Sequence, residues 1–169
     1  MQRRTLLGGL AVASTIPLGA VTMRLGANKP SHKDYWKQVL EADAYRILFE
    51  EGTERAGSSP LNQEKRAGTF VCAACYLPLF KHTQKYDSGT GWPSFFDTLP
   101  DAVDTKRDFK LILPRTEYHC ARCGGHQGHV FEDGPQPTGL RYCNNGLALR
   151  FVPEGDALPE ARLPDGAST

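Results

Sequence analysis

Two Cys-x-x-Cys pairs, Cys72-Ala73-Ala74-Cys75 and Cys120-Ala121-Arg122-Cys123, are separated by 44 residues and constrain this chain more than any other feature. Each pair presents two sulfurs to one side of a short turn, so four thiolates can close a tetrahedral Zn²⁺ site. Such a site is coordinatively full and leaves the metal no chemistry of its own. The same four cysteines could instead form disulfides, with three pairings open in principle. Cys143, the fifth and last cysteine, has no partner in either arrangement. A free thiol invites a reactivity hypothesis, against the common alternative of an inert buried cysteine.

Each Cys-x-x-Cys follows a short β-type run, the usual place for a metal knuckle at a hairpin tip. From Thr69 onwards such runs are punctuated by Gly, Pro, Asp and Asn. Strands are expected at Thr69–Cys72, Leu79–Lys81, Phe109–Leu113, Glu117–Cys120, His129–Phe131, Leu140–Tyr142 and Leu147–Val152. Before them, Ser31 can cap a helix carrying Tyr35, Trp36, Val39 and Leu40. A second helix is expected from about Asp43, with Ala44, Ile47 and Leu48 on one face, stopping before Gly52. Gly52 to Gly68 reads as a polar loop arm wrapping the domain. The Pro-rich tail, 154–169, reads as loosely held. At 169 residues and 40% apolar content the chain fits one domain, an antiparallel β domain with one or two N-terminal helices.

The first 23 residues read as an export signal of the twin-arginine type: Arg3-Arg4 precede an uncharged, mostly apolar stretch from Leu6 to about Val21. Export to the periplasm is expected, with a membrane anchor as the outcome if the leader is not cleaved. The formal net charge is +1, and removal of the leader leaves 18 basic against 19 acidic residues. That balance argues against a nucleic-acid-coating surface. Nothing suggests an oligomer, and a monomer is the default. In an oxidising compartment exposed thiols tend to become disulfides, and zinc bound before export would shield four of them.

Three further segments carry residues a plain β domain would not require. They are Asp87-Ser88-Gly89-Thr90-Gly91-Trp92-Pro93-Ser94-Phe95, Gly125-His126-Gln127-Gly128-His129-Val130-Phe131, and Asp133-Gly134-Pro135-Gln136-Pro137-Thr138-Gly139-Leu140-Arg141-Tyr142-Cys143-Asn144-Asn145. With the cysteine pairs, in this order, they resemble the methionine-R-sulfoxide reductase family (MsrB) over residues 33–153. The resemblance implies a mainly β fold of two antiparallel sheets, with the active cysteine on a strand between them and one structural zinc. It implies reduction of methionine-R-sulfoxide, peptide-bound or free, to methionine. Cys143 would then be the nucleophile, His126 and His129 the oxygen-side hydrogen-bonding and acid residues, and Trp92 the methyl-recognition residue. Asn145 would be a hydrogen-bonding partner, Arg141 a charge favouring the thiolate, and Cys72, Cys75, Cys120 and Cys123 the zinc ligands.

Chemistry supports those roles without the name. A sulfoxide sulfur accepts a thiolate once its oxygen is protonated, leaving a sulfide and a cysteine sulfenic acid. Imidazoles can supply that proton near neutral pH, and an indole face can pack on the S-methyl group. The plainer alternatives are a place on the surface or packed around the zinc knuckle for His126 and His129, a ligand role for His119, a core role for Trp92, and structural roles for Asn145 and Arg141. Thr90 stands where many family members carry a resolving cysteine, and Asn144 where an aliphatic residue is commoner. An external reductant, a thioredoxin-like protein or a small thiol, is therefore expected. The rival class is an exported zinc-ribbon interaction module without catalysis.

Overall fold

The computed structural model describes residues 32–109 and 114–164. The leader, the cap at Ser31 and most of the expected strand 109–113 lie outside the described residues. Among these, no helix is long and apolar enough to cross a membrane.

Two short helices open the domain, α1 (His32–Val39) and α2 (Ala42–Glu50). Trp36 of α1 is fully buried and stacks on Phe49 of α2 at 5.5 Å between ring centroids, which fastens the pair together. Ile47 and Leu48 bury the inner face of α2 against the body of the domain. The helix stops as expected before Gly52, but Glu51 takes the left-handed conformation (φ 53°). Gly52 serves close approach instead, since a Cβ there would lie 3.0 Å from the Arg46 carbonyl oxygen.

Among the described residues nine strands follow: β1 (Gly68–Cys72), β2 (Pro78–Lys81), β3 (Lys85–Tyr86), β4 (Ser94–Phe95), β5 (Val103–Asp108), β6 (Arg115–Cys120), β7 (His126–Phe131), β8 (Arg141–Asn144) and β9 (Leu149–Pro153). They form two antiparallel sheets, one of three strands ordered β2-β1-β9 and one of six ordered β3-β4-β8-β7-β6-β5. Phe70 and Phe80 of the small sheet close on Phe95 of the large one, at 5.0 and 4.0 Å between centroids, and this aromatic knot joins the layers. The architecture is the expected mainly β one, with differences of detail. Cys143 lies on β8, an interior strand of the large sheet, rather than between the sheets. Leu147 belongs to a 3-10 turn, Gly146–Ala148, that precedes β9. Strand β5 was not foreseen: its charged Val-Asp-Thr-Lys-Arg-Asp run lies at the sheet edge, where polar residues are tolerated and discourage further pairing.

Among the described residues, the expected tail beyond β9 is tied back to the domain at Glu154, whose N–H donates to the Ala67 carbonyl at 2.9 Å, and at Arg162. Arg162 donates to the carbonyls of Ala73 and Ala74 at 2.7 Å each, and its backbone N–H donates to that of Cys75 at 3.2 Å. The guanidinium also lies 4.6 Å above the Tyr76 ring. Chain from the far end thus covers the first Cys-x-x-Cys turn.

Candidate active site and metal centre

The four paired cysteines converge although their strands belong to different sheets. Cys72 ends β1 and Cys120 ends β6, and each turn brings its second sulfur back to the same spot. All four sulfurs lie within 4.8 Å of one another and are buried, with Cys72–Cys123 at 3.7 Å and Cys75–Cys120 at 3.5 Å. A tetrahedral zinc with Zn–S near 2.3 Å requires sulfur–sulfur separations of about 3.8 Å, so the donor set and spacing fit such an ion. Burial, followed by hydrogen bonds among the thiols, pushes the Cys72 thiol well above its ordinary pKa. A bound dication reverses that balance and makes thiolates the favoured form. His119 is not among the converging ligands.

Register places the fifth cysteine. Ser94 of β4, Cys143 of β8 and His129 of β7 are direct cross-strand partners in one row, so their side chains share a face of the sheet. Gly128, beside His129, is required by the spacing, because a Cβ there would fall 1.9 Å from the Cys143 carbonyl oxygen. A cavity of about 130 Å³ opens over this row, lined by Trp92, Arg115, His129, Phe131, Cys143 and Asn145 among others. That admits the tip of one side chain, well short of the roughly 300–1,000 Å³ of drug-sized pockets.

Four of the six candidates proposed from sequence for this site line the cavity: Cys143, His129, Trp92 and Asn145. Trp92 is pinned by its Nε1–H, which donates to the Glu54 carbonyl at 3.2 Å. The buried Asn145 accepts from the Glu54 N–H at 3.0 Å and donates from Nδ2 to the Gln127 carbonyl at 3.0 Å. One Nδ2–H and one lone pair of Asn145 are left over for the cavity. His129 Nε2 lies 2.7 Å from Asp108 Oδ2, which also accepts from Arg115 Nη2 at 2.8 Å. Asp108 thereby sets the orientation of the imidazole facing Cys143.

The other two candidates stand further back. His126 is buried behind His129, with ring centroids 5.5 Å apart, and does not line the cavity. Its Nδ1 is 2.9 Å from Glu117 Oε1, within ion-pair distance but off the line of a hydrogen bond. Burial pushes its pKa down and outweighs the opposing pull of Glu117. Arg141 is clamped by both oxygens of Asp133 at 2.8 Å each and lies 4.3 Å over the Phe131 ring.

Cys143 itself feels opposing influences. Burial pushes its pKa up, whereas Arg141 and a hydrogen bond from Thr90 pull it down, and burial prevails. Thr90 is tied in turn to Ser88 at 2.8 Å, and Ser88 to Ser94 at 2.7 Å. Thr90 thus places a hydroxyl where it favours the Cys143 thiolate.

Glu54 is a residue that sequence reasoning missed. Its buried carboxylate accepts from the N–H groups of Gly146 and Leu147, while its backbone holds Asn145 and Trp92. Nothing in the polar arm around it distinguishes this glutamate from its neighbours. Asp108 escaped notice for a similar reason, lying in the charged edge strand.

Comparison with known proteins agrees with this geometry. A family model described as SelR domain matches residues 40–153. A relative from Leptospira interrogans serogroup Icterohaemorrhagiae serovar Lai is 50% identical over 120 residues, covering 70% of this chain and 92% of the relative. One from Methanosarcina barkeri is 48% identical over 123 residues, covering 72% and 87%. One from Agrobacterium fabrum is 50% identical over 119 residues, covering 70% and 88%. All three bear the name peptide methionine sulfoxide reductase MsrB. A matching domain across both cysteine pairs and Cys143, and half-identity over nearly the full length of such relatives, mean that this chain belongs to the peptide methionine sulfoxide reductase MsrB family.

Proposed function

We propose that the protein reduces methionine-R-sulfoxide to methionine, with Cys143 as the nucleophile. The observation that carries this reading is one small cavity in which a free thiol, an imidazole fixed by a carboxylate, and a pinned indole meet. The Cys143 sulfur takes the sulfoxide oxygen as the S–O bond of the substrate breaks, giving the sulfide and a cysteine sulfenic acid. The thiol's proton ends on the transferred oxygen, and His129, directly across the strand pair, is the group placed to carry it. His126 acts from behind by packing on His129. Trp92 and Phe131 offer apolar surface to the S-methyl group. Family membership supports the R epimer, which the cavity's dimensions alone do not select.

The remaining four cysteines are gathered in the metal cluster, so the sulfenic acid has no thiol partner within the chain. An external reductant, a thioredoxin-like protein or a small thiol, closes the cycle: two thiols return Cys143 to the reduced form and release water and a disulfide. Zinc is the ion we assign to Cys72, Cys75, Cys120 and Cys123. When bound there it holds the two sheets' knuckles together and takes no part in the chemistry. We further propose export to the periplasm on the twin-arginine leader, which fits a role in repairing oxidised exported proteins. Fractionation of cells producing the full chain tests that placement.

The deciding experiment is turnover of a peptide carrying each methionine sulfoxide epimer separately, with dithiothreitol, in wild type and Cys143→Ser. Reduction of the R epimer alone, lost on substitution, is expected. A folded, metal-loaded protein that reduces neither epimer would move the weight to a zinc-ribbon interaction module.

A further inference from the structure

Behind the catalytic row, the opposite face of the same strands carries three polar side chains that the proposed chemistry does not use. Tyr118 of β6, Gln127 of β7 and Asn144 of β8 are all fully buried. Tyr118 and Asn144 both stand opposite Gly128 in register, and the missing side chain there lets them meet across a strand. Tyr118 Oη donates to Asn144 Oδ1 at 2.6 Å. Asn144 Nδ2 donates to its neighbour's carbonyl, that of Asn145, at 2.8 Å and to Gln127 Oε1 at 3.3 Å. Gln127 Nε2 reaches Cys72 Sγ at 3.5 Å. The Gln127 carbonyl meanwhile receives both the backbone and the side-chain N–H of Asn145.

Burying three polar side chains is costly unless each finds partners, and here they find them almost wholly in one another. Aliphatic and phenyl groups would fill the same space at lower cost. What the polar set supplies instead is direction: an unbroken chain of hydrogen bonds from a metal-ligand sulfur to Asn144 and Asn145, which follow Cys143 and line the cavity. We propose that Tyr118, Gln127 and Asn144 form a positioning relay that fastens the Cys143-Asn144-Asn145 segment to the Cys72 corner of the metal centre. Metal retention and the placement of Cys143 are therefore coupled through Gln127. The N–H donated to Cys72 sulfur is an outer-shell contact of the kind whose loss lowers metal affinity or activity by roughly 10–100-fold.

The test is a variant in which the whole set is made apolar, Tyr118→Phe with Gln127→Leu and Asn144→Val. Removing every member together leaves few orphaned polar groups, so this triple variant is expected to melt near the wild-type temperature. It is nonetheless expected to release metal to a competing chelator at least about tenfold faster. It is also expected to lose about tenfold in kcat on the R-sulfoxide peptide with KM little changed. A relay that merely packs the core predicts both quantities within twofold of wild type, and either one staying there overturns the proposal. Should the triple variant fail to fold, Gln127→Met, which removes the donor to Cys72 at similar volume, is measured in the same two ways and judged by the same twofold criterion. The kcat arm rests on the functional reading above. Wild-type protein in the same assay separates the two failures: no turnover by wild type sinks that reading, and metal release then decides the relay alone.

Discussion

Glu54→Ala is the substitution whose cost the geometry defines best. The carboxylate is buried and accepts two backbone N–H bonds, from Gly146 and from Leu147 at 3.2 Å. Hydrogen bonds to a charged group contribute about 1.5–3 kcal/mol each. The two share one carboxylate and adjacent donors, so their loss is less than additive, and about 3–4 kcal/mol is the expected destabilisation. For a domain of this size that lowers Tm by roughly 10 °C or more. Glu54→Gln keeps one acceptor but turns an amide N–H2 toward the other donor, and about 2 kcal/mol is expected. Urea unfolding of the metal-loaded protein, followed by tryptophan fluorescence, measures both. Kinetics should respond as well, because the Glu54 backbone holds Trp92 and Asn145. Once the side-chain tether is gone KM should rise before kcat falls. A loss below 1 kcal/mol for the alanine variant would refute the view that this carboxylate organises the 145–148 turn.

Gly128→Ala places a methyl 1.9 Å from the Cys143 carbonyl oxygen, and since that neighbour is backbone, β7 and β8 must separate. Destabilisation at or above the upper end of about 1–3 kcal/mol is expected, with sulfoxide turnover abolished in whatever folds. Burial lowers the His126 pKa in the folded protein, so the unfolded chain takes up a proton that the native state refuses. Stability is therefore retained above the ordinary histidine pKa of about 6.5 and lost as pH falls below it. Urea midpoints at pH 7 and pH 5 should differ less in His126→Gln than in wild type. Burial likewise raises the Cys143 pKa, so its alkylation by iodoacetamide should be slow at pH 7 and accelerate toward alkaline pH. Arg141→Gln should slow it further, and mass spectrometry of the Cys143 peptide reads the rate. Arg162→Met removes the guanidinium that holds the Ala73 and Ala74 carbonyls, and should speed metal release to a chelator without altering KM.

How far such features can be read from sequence depends on what encodes them. The metal cluster was legible because four identical donors at knuckle spacing carry their chemistry in their type. Cys143, His129 and Trp92 were legible because each sits in a long motif with glycines around it. Strand β5 was not, since an edge strand made of Asp, Thr, Lys and Arg has the composition of a loop and is set by pairing with β6. Glu54 and Asp108 were missed because their importance lies in whose N–H they receive. His126 and Arg141 do not line the cavity: His126 packs behind His129, and Arg141 acts on Cys143 through its charge. Adjacency in a motif does not say which of two histidines faces the cavity, and a bulge between Tyr118 and His119 shifts that alternation.

The state of the thiol bears on how the proposed chemistry and the surroundings fit together. Susceptibility to oxidation follows thiolate character and exposure, and Cys143 is half-buried with its pKa raised above the usual thiol value. A resting thiol of that kind resists stray oxidants. The same proton that protects it is the one required on the transferred oxygen, so storing it on sulfur entails no loss of catalytic potential. In the proposed chemistry His129 is the route, since it stands across from Cys143 on the adjacent strand with its ring held by Asp108. Thr90 adds the complementary element on the other side, a hydroxyl that can donate to sulfur as negative charge develops there. Arg141, held by Asp133 rather than free to swing, supplies a fixed positive field that needs no reorganisation when the thiolate forms. Arg141 and Thr90 are thus already placed to favour a Cys143 thiolate, while burial outweighs them and favours the thiol.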